Sequence, residues 1–456
     1  MSREKRKKYG WLILPIVAAV LLLVALTSSD EDFLSALSID GGPLSYVFLG
    51  CLVALPILLV LFGLKLRKDS KKRLEAVESN IQNAPIETGA EKEEVEEESR
   101  FFMLTETDKK MGKNVRRVYN EELTLKTFCE RFRNFAASKL GLYYDETDIR
   151  QFISGMAVSH ILVMQGMSGT GKTSLAYAFG EFIQNKSTIV PIQPMWKERT
   201  DLIGYYNEFT KKFNETTLLQ KMYEANYSEE LYITVLDEMN IARVEYYFAE
   251  FLSLLEIPDP EGRYLDVVTD KKEKDPKLLR NGQLKLPTNM WFIGTANNDD
   301  STFAISDKVY DRAMIMNLDK KAKRFEAPET GGVRLSEKKW KAMVDRALGE
   351  YELTQRNRRR IKKLDDYMIE NFHITFGNRI MKQMEQYVPV MLACGGEELE
   401  AIDDILSKKV LRKLESQNPI YVRNSAEGLR NYLDELFGVD KMAKCKAYLT
   451  HLERNA

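Results

Sequence analysis

The sequence predicts an α/β fold: a parallel five-stranded core, a C-terminal α-helical lid and an N-terminal transmembrane helical hairpin. Three observations carry that prediction. The glycine-rich run Gly166-Met167-Ser168-Gly169-Thr170-Gly171-Lys172-Thr173 stands between an apolar strand and a helix. Two later apolar runs end in Asp237-Glu238 and in Gly294-Thr295-Ala296-Asn297. Near the N-terminus, Trp11–Thr27 and Tyr46–Leu64 contain no charged residue.

Residues 1–67 read as a membrane anchor with helices at about 11–27 and 45–65. At about 1.5 Å per residue, each run covers most of a ~30 Å hydrocarbon layer. No Lys or Arg occurs between residues 11 and 64; Arg3, Lys5, Arg6, Lys7 and Lys8 precede the hairpin, and Lys65, Arg67, Lys68, Lys71, Lys72 and Arg73 follow it. The connecting loop is acidic, with Asp30, Glu31, Asp32 and Asp40. The positive-inside rule then places both ends on the cytoplasmic side of the cell (inner) membrane, multi-pass, with the remainder in the cytoplasm. A cleaved signal sequence is the alternative for the first run, but no small-x-small site follows it. A soluble hairpin would need a polar face, which these runs lack.

Residues 68–100 form a charged linker, mostly acidic from Glu91 to Ser99 and broken at Pro85. Such composition favours a solvated tether. In 101–145, Leu125, Phe128, Phe132, Phe135 and Ala136 have helical spacing, so a small helical element precedes the core.

The core spans 146–330. Ile161–Met164 is a short apolar strand, and Leu175, Ala178, Phe179, Phe182 and Ile183 mark the helix after the loop. Gly166, Gly169 and Gly171 let the loop curl so that its N–H groups face inward, a cradle for phosphate oxygens made by Gly166 to Ser174, Met167, Ser168 and Thr170 included. The helix adds its positive N-terminal end. Lys172 is placed to reach the β- and γ-phosphates of a nucleotide, and the Thr173 hydroxyl to bind Mg²⁺. Ser187–Ile192 reads as a second strand and Leu231–Leu236 as a third, central one. Asp237 at its end suits the magnesium, and Glu238 suits a general base acting on water. Met290–Gly294 is a fourth strand; Asn297 just beyond it can orient that water, since ligands of open α/β sheets gather at strand carboxyl ends. Between them, Tyr264–Thr269 and Gln283–Leu286 read as a β-hairpin with a charged tip at Lys271–Pro276. Met314–Leu318 supplies the fifth strand.

Taken together, these residues resemble an AAA+ ATPase, and within that group the McrB-type branch, related to the MoxR and dynein-type modules. Gly166–Leu175, Asp201–Tyr206, Asp237–Asn240 running into Arg243–Phe248, and Ile293–Asn297 carry the resemblance, which covers about Asp145 to Leu436. It implies a P-loop NTPase working as a homo-oligomeric ring, a hexamer in most relatives, with ATP or GTP and Mg²⁺. It also implies that Asn297 is the sensor-1 residue. Arg312, in Tyr310-Asp311-Arg312-Ala313, matches the arginine finger that enters a neighbouring subunit's site. Arg379, in Phe376-Gly377-Asn378-Arg379, matches sensor 2 on the lid. In many McrB-type proteins consecutive arginines followed by Phe stand near the finger; here Asp311 precedes a single Arg312 and Ala313 follows. A surface pair of Arg312 with Asp311 or Asp307 is the other reading. By the same resemblance, Trp196–Phe213, with Tyr205, Tyr206, Lys211 and Lys212, is a candidate substrate contact, and Tyr143, Tyr144 and Ile149 lie near the base.

Residues 331–456 read as a helical lid and further C-terminal helices. Arg356, Arg358, Arg359, Arg360, Lys362 and Lys363 make a basic segment flanked by acids, which favours a solvated face over a nucleic-acid or membrane contact. The chain of 456 residues has 67 Lys and Arg against 68 Asp and Glu, so overall charge gives no argument for nucleic acid. Its 4 cysteines (Cys51, Cys129, Cys394, Cys445) and 3 histidines (His160, His373, His451) show no metal-ligand spacing. The reading is therefore a membrane-anchored, cytoplasmic nucleoside triphosphatase that remodels a protein or complex. Two alternatives stand beside it. One is a nucleotide-dependent restriction or defence subunit acting on DNA with a partner nuclease. The other is an assembly switch controlled by nucleotide.

Overall fold

The computed structural model describes residues 99–111, 119, 122–297 and 302–455. The two candidate membrane helices and the charged linker through residue 98 lie outside that set. Among the described residues, no helix is long and apolar enough to cross a membrane.

The described chain opens on Arg100, whose buried guanidinium grips Asp275 with two parallel bonds of 2.9 and 2.8 Å and Asp270 at 2.7 Å. Asp275 belongs to the expected charged tip and Asp270 directly precedes it, so part of that tip is an anchor for Arg100. Helix α1 (Met103–Met111) follows, its free N–H groups at Phe102, Met103 and Leu104 taken up by the Glu215 carboxylate at 2.7–2.8 Å. Helix α2 (Leu125–Leu140) starts at Thr124, whose hydroxyl caps the Thr127 N–H, and stops at Gly141. Its Phe128, Phe132 and Phe135 pack on Phe182 of the core, Phe132 stacked and the other two tilted, with the helical spacing read from the sequence. A capping box of Asp145 and Asp148 starts α3 (Glu146–Val158).

Strand β1 (Ile161–Gly166) runs into the glycine loop and then α4 (Lys172–Phe182). Next come β2 (Thr188–Pro191), the short α5 (Arg199–Ile203), a hairpin of β3 (Gly204–Asn207) and β4 (Lys212–Glu215), α6 (Thr217–Ala225) and β5 (Tyr232–Asp237). After β5 lie α7 (Val244–Tyr247) and α8 (Ala249–Glu256). A small antiparallel sheet follows: β6 (Tyr264–Asp266), β7 (Leu279–Arg280) and β8 (Gln283–Lys285), with β8 in the middle. Then come β9 (Met290–Asn297), α9 (Asp307–Arg312) and β10 (Met314–Asn317).

The main sheet has the order β10-β1-β9-β5-β2, with every pairing parallel. It contains all five strands expected from the sequence. Side chains alternate across it, as the two-residue period of a strand requires. Leu162, Met164, Ile233, Val235, Trp291 and Ile293 face one core with α2, α3, α4 and the C-terminal helices. Ile161, Val163, Tyr232, Leu236, Met290 and Phe292 face the other, under α6 to α8. Burial on both faces explains why these strands read as continuous apolar runs.

The C-terminal part is helical: α10 (Glu337–Glu350), α11 (Gln355–Phe372), α12 (Gly377–Ala393), α13 (Glu398–Ile405), α14 (Pro419–Phe437) and α15 (Ala443–Asn455). Between α13 and α14 the chain passes through a π-turn at Leu406–Val410. A buried ionic cluster holds this region. The Asp404 carboxylate accepts from Lys408 Nζ at 2.8 Å, Lys444 Nζ at 2.5 Å and Tyr387 Oη at 2.8 Å, and Lys408 also donates to Gln151 of α3 at 2.9 Å. Burial pushes the Asp404 carboxyl up, but the Lys408 and Lys444 charges outweigh it and hold the group below its ordinary range. Asp404→Ala strands the Lys408 ammonium in the interior. A loss of about 3–5 kcal/mol is expected, the cost of breaking a buried pair by removing one partner. Chemical denaturation measures it; a loss below about 1 kcal/mol would count against the cluster as a staple.

Candidate nucleotide site

The loop leaves β1 at Gly166, in the left-handed region with φ 139°, and Gly169 and Gly171 have φ 75° and 100°. Gly166 has no room for a side chain, since a Cβ there would lie 2.4 Å from the Leu318 carbonyl oxygen. Tyr144 donates through its hydroxyl to the Gly171 carbonyl at 3.0 Å, so the segment before α3 buttresses the loop. Thr170 closes the loop on the Met167 carbonyl at 3.0 Å. Lys172 is buried and donates to the Gly166 and Met167 carbonyls at 2.9 and 2.7 Å. Its ammonium thus lies inside the curl of Gly166 to Ser174.

Helix α4 and two strands bring the remaining groups alongside. Thr173 Oγ1 donates to Asp237 Oδ1 at 2.7 Å, joining the first turn of α4 to the end of β5. Thr295 Oγ1, from β9, donates to the same oxygen at 2.9 Å and accepts the Glu238 N–H at 2.9 Å. Glu238 has φ 52° and ψ 47°, a left-handed conformation that costs a non-glycine residue about 1–3 kcal/mol. The Thr295 bond holds it there, and the Glu238 side chain is exposed. Asn297 pairs in register with Gly166, at the carboxyl edge of the sheet. Its carbonyl accepts from Asn240 Nδ2 at 3.0 Å and Thr302 Oγ1 at 3.1 Å.

The structure therefore brings Lys172, Thr173, Asp237, Glu238 and Asn297 to one edge of the sheet. Thr295 and Asn240 were given no role from the sequence. The available signal for Thr295 was a polar residue inside an apolar strand. Beside Asn297 opens a polar cleft of about 1190 Å³ between the strand ends and the C-terminal helices, lined by Gln165, Asn240 and Asn317 on one side and Lys408 and Arg412 on the other. Asp148 also lines it, and burial raises its carboxyl to about 6.

Arg312 and Arg379 do not join this group. Arg312 Nη2 donates to Glu256 Oε2 at 2.6 Å, and Nη1 to the Lys308 carbonyl at 2.7 Å. Arg379 Nη2 donates to the other oxygen of the same carboxylate, and Asp311 lies 3.9 Å from its Nη1. Neither surface pair considered for Arg312 forms: Asp307 takes Arg412 instead, and Asp311 sits near Arg379. Glu256 had no signal in the sequence, being one glutamate at a helix end.

Helix α9, which carries Arg312, is held from several sides. Lys409 donates to the Tyr310 and Ala313 carbonyls, and the Arg412 guanidinium lies 3.4 Å from the centre of the Tyr310 ring. Gln383 donates to the Asp311 carbonyl at 3.2 Å, and Gln165, next to the loop, donates to the Tyr310 hydroxyl.

Other expected features take structural roles or face solvent. His160 is half-buried against Trp291, 4.7 Å between ring centres, and desolvation pulls its imidazole down to about 4, so it is neutral. Cys129, Cys394 and Cys445 are buried free thiols. Among the described residues no group of three or more His, Cys, Asp or Glu forms a metal cluster. At the tip of the β3–β4 hairpin, Phe209 is 98% exposed, beside Lys211 and Lys212.

Comparison with known proteins agrees with this geometry over part of the chain. Residues 161–313 match the family model of the AAA domain (dynein-related subfamily), and residues 328–456 match a domain of unknown function (DUF8727). Over 173 residues the chain is 25% identical to the type IV methyl-directed restriction enzyme EcoKMcrB subunit of Escherichia coli (strain K12), which is 36% of each protein. The chain thus spans about a third of that curated relative. Among solved structures it is similar to a candidate ATPase from Cytophaga hutchinsonii ATCC 33406, with 12% identity, TM-score 0.44, and 68% of this chain and 95% of that one covered. It is also similar to a full-length MCM homologue from Methanopyrus kandleri, with 12% identity, TM-score 0.35, and 64% and 61% covered. The residues that match the AAA domain model carry four of the five strands of the parallel sheet, β1, β2, β5 and β9.

Proposed function

We propose that this chain is a membrane-anchored nucleoside triphosphatase that cleaves ATP at a cleft completed by a neighbouring copy, and uses the cycle to remodel a protein. The observation that carries the reading is the convergence of Lys172, Thr173, Asp237, Glu238 and Asn297 on one sheet edge. The loop N–H groups and Lys172 bind the phosphates. The carbonyls that Lys172 now contacts are weak partners for an ammonium, and a triphosphate is the stronger one. Thr173 Oγ1 and Asp237 Oδ1, 2.7 Å apart, form the hard oxygen pair that suits Mg²⁺. Bound there, Mg²⁺ neutralises phosphate charge as a Lewis acid. Glu238 takes a proton from the attacking water, and Asn297 orients that water. Arg312 acts on the nucleotide of the adjacent copy in a ring.

The membrane anchor at 11–27 and 45–65 confines this work to the cytoplasmic face. A fully exposed aromatic ring at the β3–β4 tip favours a macromolecular substrate, since such a ring gains by being covered. A second reading rests on the curated relative, whose name is that of a restriction subunit; turnover stimulated by DNA would favour it.

The test is phosphate release from ATP and GTP by detergent-extracted protein over a range of protein concentrations. Turnover per chain should rise with concentration as copies assemble. Lys172→Ala should weaken nucleotide binding at least tenfold, about the loss of one strong charged contact. No phosphate release from either nucleotide at any concentration would overturn the proposal.

A further inference from the structure

We propose that Glu256 is a positioning residue, which gathers Arg312 and Arg379 into one cationic pair delivered together to a triphosphate. This rests on the proposed reading that Arg312 serves a nucleotide.

The two arginines come from separate layers. Arg312 ends α9 in the AAA core, and Arg379 lies in the first turn of α12 in the C-terminal helices. One carboxylate joins them, each oxygen taking one guanidinium. Two guanidinium groups repel, so without an anion between them they would move apart. Glu256 is that anion, and it stands at the last residue of α8, where the helix dipole disfavours a carboxylate. Its place is therefore not explained by helix stability. The ion pairs with Arg312 and Arg379 account for it.

The charges facing this group are Arg312, Arg379 and Glu256, with Asp311 at 3.9 Å from Arg379. Arg312 and Arg379 keep 23% and 48% of their side-chain surface exposed, so neither side chain is sealed off from solvent. Lys409 and Gln383 hold the end of α9 from the C-terminal helices. The backbones under both arginines are thereby fixed, and Glu256 fixes their side-chain ends. Preorganised charge of this kind is what a developing phosphoryl charge responds to, and a displacement of about 1 Å can cost ~10²-fold in rate.

The experiment measures turnover, nucleotide binding and assembly for Glu256→Ala, Glu256→Gln and the double variants with Arg312→Ala and Arg379→Ala, in the full-length, detergent-extracted protein. Wild-type phosphate release is established first; its absence defeats the proposed function, whereas its presence leaves the Glu256 question open to the variants. The expected result is a kcat lowered about tenfold or more by Glu256→Ala, with KM and assembly unchanged and a smaller loss in Glu256→Gln. In the Arg312→Ala background, removing Glu256 should cost less than twofold further, since the two act as one unit. A kcat within twofold of wild type in Glu256→Ala, any increase in kcat, a loss that appears only together with failed assembly, or fully additive losses in the double variants would each overturn the assignment.

Discussion

Glu238→Gln should bind nucleotide and assemble as the wild type does, yet turn over about 10²–10⁴ times more slowly, the contribution of a well-placed general base. The reasoning is geometric. The backbone of Glu238 is held by Thr295, not by its own carboxylate, so the amide variant keeps the left-handed turn. Asp237 keeps Thr173 and Thr295, so the end of the site proposed for phosphate and magnesium is untouched. Only proton acceptance is lost. Equilibrium binding of a fluorescent nucleotide and steady-state phosphate release separate the two properties. Near-normal turnover would remove Glu238 from the role of base. The same variant, trapped in a loaded state, is the natural bait for an unknown substrate extracted in mild detergent.

Arg312→Ala should retain binding in its own cleft and lose turnover by about 10³–10⁵, the range found where an arginine acts on a transferring phosphoryl group. Arg312 contacts neither Lys172 nor Asp237 within its own chain; its partners are Glu256 and the Lys308 carbonyl. It can therefore reach a nucleotide only in another copy, unless α9 moves. Mixing settles this. Arg312→Ala copies lack the arginine but keep an intact loop, and Lys172→Ala copies lack the phosphate-binding lysine but keep the arginine. Combined, the two inactive proteins should regain part of the turnover. If Arg312→Ala alone stays active, the arginine serves only to pair with Glu256.

Much of the core was legible because its physics is local. A loop that must curl needs glycine at Gly166 and Gly171, and strands buried on both faces must be apolar, so Ile161–Met164, Leu231–Leu236 and Met290–Gly294 announced themselves. The hairpin between Tyr264 and Leu286 was visible for the same reason, and β6 pairs with β8 there. What stayed hidden depends on long-range meeting. Nothing near Glu256 in sequence points to Arg312 or Arg379, because the carboxylate takes its meaning from two helices that arrive later in the chain. Lys408 and Lys409 read as ordinary charges, yet both are buried, one on Asp404 and the other on the end of α9. The acids flanking the basic stretch of α11 predicted surface pairing; Lys362 with Asp366 shows it, whereas Arg358 reaches Glu385 on α12.

Arg100 gives the start of the described chain a mechanical meaning. Its guanidinium is clasped by Asp270 and Asp275, and its carbonyl accepts the Phe213 N–H of the β3–β4 hairpin at 2.8 Å. A pull arriving along the backbone at Ser99 would therefore be shared between two small sheets, through a charged side chain on one and a main-chain bond on the other.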